Sequence, residues 1–176
     1  VSAANNPGAY LGAVIGTAAL ASKDKLTLIT SPSIGSFGLW AEQLIAESTG
    51  KEGTGIVPIA GEPLSSPEFY GDDRVFAYLR VETDDNASLD AEVDALELAG
   101  HPAVRLHLAD TYDLGAEFFR WEFATALASS ILGIHPFDQP NVQQAKKLTD
   151  QVLGEYQATG ALPSAETSSS AEDLLG

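Results

Sequence analysis

Four short, apolar, β-rich runs separated by stretches of helical periodicity constrain this chain more than any other feature of its sequence. The runs are residues 25–30 (KLTLIT), 56–60, 74–81 (RVFAYLRV) and 103–108 (AVRLHL). Continuous apolar runs suit strands buried on both faces, and strands alternating with helices of ten or more residues form mostly parallel sheets. The expected fold is therefore α/β, a three-layer α/β/α sandwich around four or five mainly parallel strands. Ligands of such sheets bind where loops leave the carboxyl ends of the strands.

The helical segments carry their own punctuation. Asn5 or Asn6 can cap residues 8–22, with Pro7 in the first turn. Small residues there (Gly12, Ala13, Gly16, Ala18, Ala19) permit close packing. Its apolar stretch, 9–21, is too short to span a bilayer and lacks a basic flank, so it is expected to be buried. An amphipathic segment, 37–48, follows the loop 31–36. Ser88 is expected to cap a helix ending near Gly100, with Glu92 and Glu97 on its polar side. Asp113 begins a long helix through Leu132, with Phe118, Phe119, Trp121 and Phe123 at helical spacing, and Gly133 stops it. A final helix, 141–158, leaves a tail with too little apolar content to fold alone. The 176 residues, 44% of them hydrophobic, suffice for one core. The expected organisation is a domain at 1–158 and a flexible acidic, Ser-rich tail at 159–176.

Asp and Glu number 25 against 9 Lys and Arg, a formal charge of −16. That charge argues against nucleic acid and against an anionic membrane as partners. A phosphorylated substrate would need a local cation. With no cysteine, disulfides and thiolate chemistry are excluded, and a reducing cytoplasm is a compatible location. The absence of methionine, with Val-Ser-Ala-Ala opening the chain, hints at a piece of something longer.

Two segments could carry chemistry. The first is Glu42-Gln43-Leu44-Ile45-Ala46-Glu47-Ser48-Thr49-Gly50-Lys51. A carboxylate at the rim of a ligand face can act as a general base, and Gln43, one turn earlier on the same face, can orient a sugar hydroxyl. Equally, this is an ordinary helix end, with Gly50 as left-handed cap and Lys51 beside the negative end of the helix. The second segment, Gly133 to Lys146, offers the amide of Gln139 and the ammonium of Lys146. Its plain alternative is Asp138 as an N-cap, Pro140 in the first turn and Lys146-Lys147 as a solvated face. The loop Ser31-Pro32-Ser33-Ile34-Gly35-Ser36-Phe37-Gly38 could present backbone N–H groups to an anion, although it is not a P-loop. His101, His107 and His135 share no metal-binding spacing, and His107 is expected to point outward from its strand.

Taken together, the two segments resemble the phosphoglucose isomerase family. Glu47-Ser48-Thr49-Gly50-Lys51 matches that family's acid-Ser-x-Gly-Lys motif. Phe137-Asp138-Gln139 through Lys146 resembles its C-terminal signature, in which a lysine follows the Gln by seven residues. The wording around Gly38-Leu39-Trp40-Ala41-Glu42-Gln43 and Phe118-Phe119-Arg120-Trp121-Glu122-Phe123 is similar to the isomerase portion of fused transaldolase/isomerase proteins. The resemblance implies a flavodoxin-like sugar isomerase (SIS) domain, the second of two lobes, interconverting glucose 6-phosphate and fructose 6-phosphate in glycolysis and gluconeogenesis. It implies a cis-enediol mechanism without metal or organic cofactor. Glu47 would be the base, Gln43 and Gln139 would line the sugar-phosphate pocket, and Lys146 would assist at the ring oxygen. The implied partners are the sugar phosphate, a first SIS lobe and a transaldolase domain of the same parent chain, with a homodimer also open.

Some family features have no counterpart. Asn141 stands where the signature has Gly or Ala, and Gln143 where Glu is common. The first lobe's phosphate loop is absent, and no histidine matches the one that opens the sugar ring. The isolated chain is therefore expected to be a poor enzyme. The competing readings are a non-catalytic SIS module that senses a sugar phosphate or mediates dimerisation, and a nucleotide- or flavin-binding protein, which has no glycine fingerprint in its favour.

Overall fold

The computed structural model describes residues 5–51, 53–138 and 140–163. Packing divides the chain into two units, Val1–Asp138 and Gln139–Gly176. In the first unit β1 (Lys25–Thr30), β2 (Val57–Ala60), β3 (Arg74–Val81) and β4 (Ala103–Leu108) form one sheet in the order β2-β1-β3-β4. Every pairing is parallel, with Lys25 opposite both Val57 and Arg74 and Phe76 opposite Ala103. This is the flavodoxin-like order with four strands, as the alternation of strands and helices predicts.

Strand side chains alternate between two buried clusters. Leu26, Leu28, Ala77 and Leu106 belong to the larger, and Ile29, Phe76 and Tyr78 to the smaller. Helices α1 (Pro7–Leu20) and α2 (Phe37–Thr49) pack on the larger cluster through Leu11, Ile15 and Ile45. On the other face α3 (Ala87–Leu98) contributes Val93 and Leu96. The fourth helix, α4 (Leu114–Leu132), returns to the larger cluster through Trp121 and Ala124. No α-helix joins β2 to β3; the helical element between them is one short 3₁₀ turn, Pro67–Phe69. Residues 61–73 contain Gly61, Pro63, Pro67 and Gly71, which favour turns, and they cover the second face as a loop whose Leu64 and Tyr70 pack on the smaller cluster.

Local chemistry explains the element ends. The Asn6 carboxamide accepts from the N–H groups of Gly8 and Ala9 at 2.9 and 3.2 Å and caps α1. Burial of α1 is confined to one side: Leu11 and Ile15 are inside, whereas Tyr10 is exposed. Ser88 does not cap α3. It lies in the first turn, where its hydroxyl donates to Glu92 at 2.9 Å. Asn86, the residue before the helix, spends its side chain instead on the Val81 carbonyl at 2.7 Å. Gly133 ends α4 in the left-handed conformation (φ 74°) that glycine adopts without penalty. His107 is exposed, as its strand position predicts.

Glu117 is 1% exposed and pairs with Arg120 at 2.7 Å, but its second carboxylate oxygen has no hydrogen-bond partner among the described residues. Burial pushes its pKa up, against the opposing pull of Arg120 and the nearby Trp121 indole. A carboxyl with a raised folded pKa binds protons more tightly when folded. Stability therefore falls as pH rises through the window above the ordinary glutamate value, and the penalty stays above it. Glu117→Gln is expected to raise the melting temperature at pH 8 and to leave it nearly unchanged at pH 4. Thermal melts at both pH values check this, and a lower melting temperature at pH 8 would contradict it.

The second unit contains α5 (Pro140–Thr159). Its described side chains from Val142 onward are exposed. Val142, Ala145, Leu148, Val152 and Tyr156 recur every three or four residues, so they form one apolar stripe that buries no core of its own. Residues 164–176, most of the expected tail, lie outside the described residues. Among the described residues no helix is long and apolar enough to cross a membrane.

Candidate functional site

The two sheet edges differ in chemistry. At the carboxyl edge, strand order reverses between β1 and β3, the place where open α/β sheets hold ligands. Here the crevice is filled by the protein's own groups. Buried Ser31 accepts from the Val81 N–H at 2.8 Å and donates to the Asn86 side-chain oxygen at 2.6 Å. The Ser33 N–H, a candidate anion donor, is taken by the Asp84 carboxylate at 2.8 Å. A neighbouring groove of about 290 Å³, bordered by Thr30, Gly38, Leu64, Glu62 and Glu92, has two carboxylates and no Lys or Arg in its wall. Of the two, Glu62 is paired with Arg74 at 2.8 Å.

Glu47 lies at the opposite edge. A helix that follows a strand runs back along the sheet, so the last turns of α2 reach the edge where β1 and β2 begin. Thr49 marks the position: its hydroxyl accepts from the N–H of Ile56, just before β2, at 3.0 Å, and donates to the Ile45 carbonyl at 2.8 Å. The expectation that Glu47 stands at the carboxyl rim is thus overturned by the direction of its own helix. Glu47 and Gln43 are both exposed, and the Gln43 amide donates to the Glu47 carboxylate at 3.2 Å, one turn apart as the i, i+4 spacing predicts.

Lys51 is the residue whose role the sequence concealed. It is not a solvated cation at a helix end. It is 5% exposed, and its ammonium donates to the His135 carbonyl and the Asp138 carbonyl, both at 2.5 Å, and to the Asp138 carboxylate at 2.7 Å. Three donors meet three acceptors, so this buried charge is fully satisfied. The hydrogen bond from Lys51 holds the Asp138 carboxyl below its ordinary range, and the positive charge adds to the effect. That part of the stability is present above the ordinary aspartate range and is lost as pH falls through the lowered value.

The chain before Lys51 shows why the end of α2 can approach this turn. Gly50 is not a left-handed cap; its φ is −73°. Its backbone lies close to the preceding turn, where an added Cβ would come within 2.8 Å of the Ala46 carbonyl oxygen. Lys51 and Thr54 then exchange two backbone hydrogen bonds, both 2.9 Å, that turn the chain into β2.

The acid-Ser-x-Gly-Lys segment and the aromatic-Asp-Gln segment therefore meet through Lys51 and Asp138, two residues outside the candidate site set. The available signal was one opposite charge inside each motif. Lys146 is exposed on α5, in the second unit, and Gln139 lies outside the described residues.

The chain matches no model of a known protein family. In backbone it is similar to a hypothetical protein of Thermus thermophilus of known crystal structure. That match has a TM-score of 0.66 and 20% identity, and it covers 83% of this chain and 45% of the other. In sequence it is 30% identical over 150 residues to a protein of Methanococcus maripaludis named "Probable glucose-6-phosphate isomerase", covering 67% of this chain and 34% of that protein. It is 29% identical over 160 residues to the glucose-6-phosphate isomerase of Leptospira biflexa, covering 70% and 36%. With that of Rubrobacter xylanophilus the identity is 26% over 166 residues, covering 74% and 38%. The chain spans about a third of the length of these curated relatives, and over most of its own length it is related by sequence to glucose-6-phosphate isomerases.

Proposed function

We propose that the chain is the second SIS lobe of a glucose-6-phosphate isomerase, working with a first lobe and, in a fused parent, a transaldolase domain. The observation that carries this reading is the meeting of the two motif segments at Lys51 and Asp138, in a chain related to isomerases. In the reaction, the Glu47 carboxylate removes the proton from C2 of the open-chain aldose. The electron pair left behind forms the C1–C2 double bond while the carbonyl oxygen at C1 takes up a proton, giving the cis-enediol. Return of the carried proton to C1, with loss of the C2 hydroxyl proton, gives fructose 6-phosphate. The exchange is balanced and needs no redox partner. Gln43 and Gln139 orient sugar and phosphate oxygens, and Lys146 supplies the cation that so acidic a chain needs near an anionic substrate.

Glu47 is exposed here, whereas a base for this step works best when water is excluded. Cover from the first lobe or from a second copy of the protein meets that need, with the reaction placed in the cytoplasm. The same exposure favours a second reading, a sugar-phosphate-binding or dimerisation module without catalysis. An assay of the whole protein as its gene encodes it, with fructose 6-phosphate and glucose-6-phosphate dehydrogenase as the coupling enzyme, separates the two. Turnover on the order of 10 s⁻¹, ordinary for an enzyme, is expected. Binding of fructose 6-phosphate without turnover would sink the isomerase and leave the module.

A further inference from the structure

We propose that Lys51 is a positioning residue of the isomerase site, a buried cation that fixes the last turns of α2, and with them Glu47, against the 133–138 turn. The inference rests on the isomerase reading above, but its physical basis is independent of it. All three acceptors of the ammonium come from one short turn, the His135 carbonyl oxygen, the Asp138 carbonyl oxygen and Asp138 Oδ1. Lys51 itself is anchored on the other side: its backbone exchanges hydrogen bonds with Thr54, and Thr49, two residues earlier, is bonded to Ile56. The turn and the helix end therefore move together or not at all. Glu47 lies four residues before Lys51, and Asp138 is the residue that precedes Gln139 in the chain.

A long, flexible lysine is a costly way to join two surface segments unless the geometry matters. Burying an ammonium requires every N–H to be met, and breaking the set leaves a charge without compensation. The benefit falls on proton transfer, where a displacement of about 1 Å can cost 10²-fold in rate. A clamp of this kind acts on turnover more than on substrate affinity, because it touches neither the sugar nor the phosphate.

Lys51→Met in the whole protein tests the idea with two readouts: steady-state kinetics on fructose 6-phosphate normalised to the folded fraction, and backbone amide NMR shifts of Ile134, His135, Phe137 and Asp138. The expected result is a kcat lowered roughly 10- to 100-fold with KM within about threefold, together with displaced amide signals in the turn. Lys51→Arg, which can still donate to carbonyl and carboxylate, should recover part of the loss. Displaced signals with unchanged kcat would overturn the positioning role while leaving the isomerase standing. Undisturbed signals would show that no clamp exists. Absence of wild-type turnover would remove the isomerase reading and the catalytic part of this one, and the NMR shifts would then report on the clamp alone. If Lys51→Met does not fold, Asp138→Ala, at a half-exposed side chain, gives the same two readouts.

Discussion

Replacing Gly12 with leucine is expected to destabilise the protein by about 3 kcal/mol or more, the upper range for overpacking a filled core. Gly8, Gly12 and Gly16 form a row on α1 that faces α4. A Cβ built at Gly8 would meet Arg120 and Phe123, one at Gly12 would meet Ala124 and Leu127, and one at Gly16 would meet Ala128 and Ile131. Both series advance by four residues in the same direction, so the two helices run parallel with their backbones in close approach. Gly12 is the tightest point: its Cβ would stand 2.5 Å from the Ala124 carbonyl oxygen and 3.0 Å from the Ala124 Cα. Those atoms are backbone and cannot rotate aside, so the helices must separate.

Alanine at the same position is a finer probe. In an open helix Gly→Ala is favourable by about 1 kcal/mol through propensity, so Gly12→Ala sets that gain against the clash and should still destabilise. Gly154→Ala is the control. Among the described residues, nothing beyond the helix's own backbone and the neighbours of Gly154 lies within 4 Å of a Cβ there, and the same substitution should stabilise α5. Urea titrations followed by circular dichroism would compare the three. A midpoint for Gly12→Ala at or above that of the parent would contradict the close approach of α1 and α4.

Glu47→Gln is expected to lower kcat of the whole protein by about 10²-fold or more, within the 10²–10⁴ range attributed to a positioned acid–base group. The amide has the size and reach of the carboxylate, and its oxygen can still accept the hydrogen bond that Gln43 gives at 3.2 Å. What disappears is the capacity to take a proton from carbon. KM for fructose 6-phosphate should therefore stay within about threefold, the signature of an interaction made in the transition state. Because Glu47 is exposed in this chain, the substitution should leave the melting temperature almost unchanged, which separates lost chemistry from lost structure. A kcat within about threefold of the parent would remove Glu47 as the base and favour the sugar-phosphate-binding module.

Much of the fold was legible before any coordinates. Continuous apolar runs separated by long helical stretches lead to a parallel sheet covered on both faces, and Asn6, Pro7 and Gly133 mark helix ends by chemistry that acts within a few residues. The position of Glu47 was legible too, because a helix that follows a strand must return toward that strand's start. Ser88 is not a cap because the helix already begins at Ala87, and Asn86, the residue at the cap position, spends its amide on the Val81 carbonyl at the end of β3, a contact set by the strand and not by helix propensity.

By itself, the sequence determined the class of fold, the order of its elements and the presence of two motif segments, because periodicity and capping are local properties carried by neighbouring residues. Only the tertiary structure decided which charges in those segments meet. Lys51 and Asp138 are separated by 87 residues, and nothing local distinguishes a lysine that will be buried against a distant turn from one left in water. The same holds for the closed crevice of Ser31 and Asn86, 55 residues apart, and for the burial of Glu117. The two pairs depend on the sheet first bringing remote loops together at its edges, and the burial of Glu117 on the packing of α4; desolvation, which sets the energy of a charge, exists only once the neighbours that exclude water are in place.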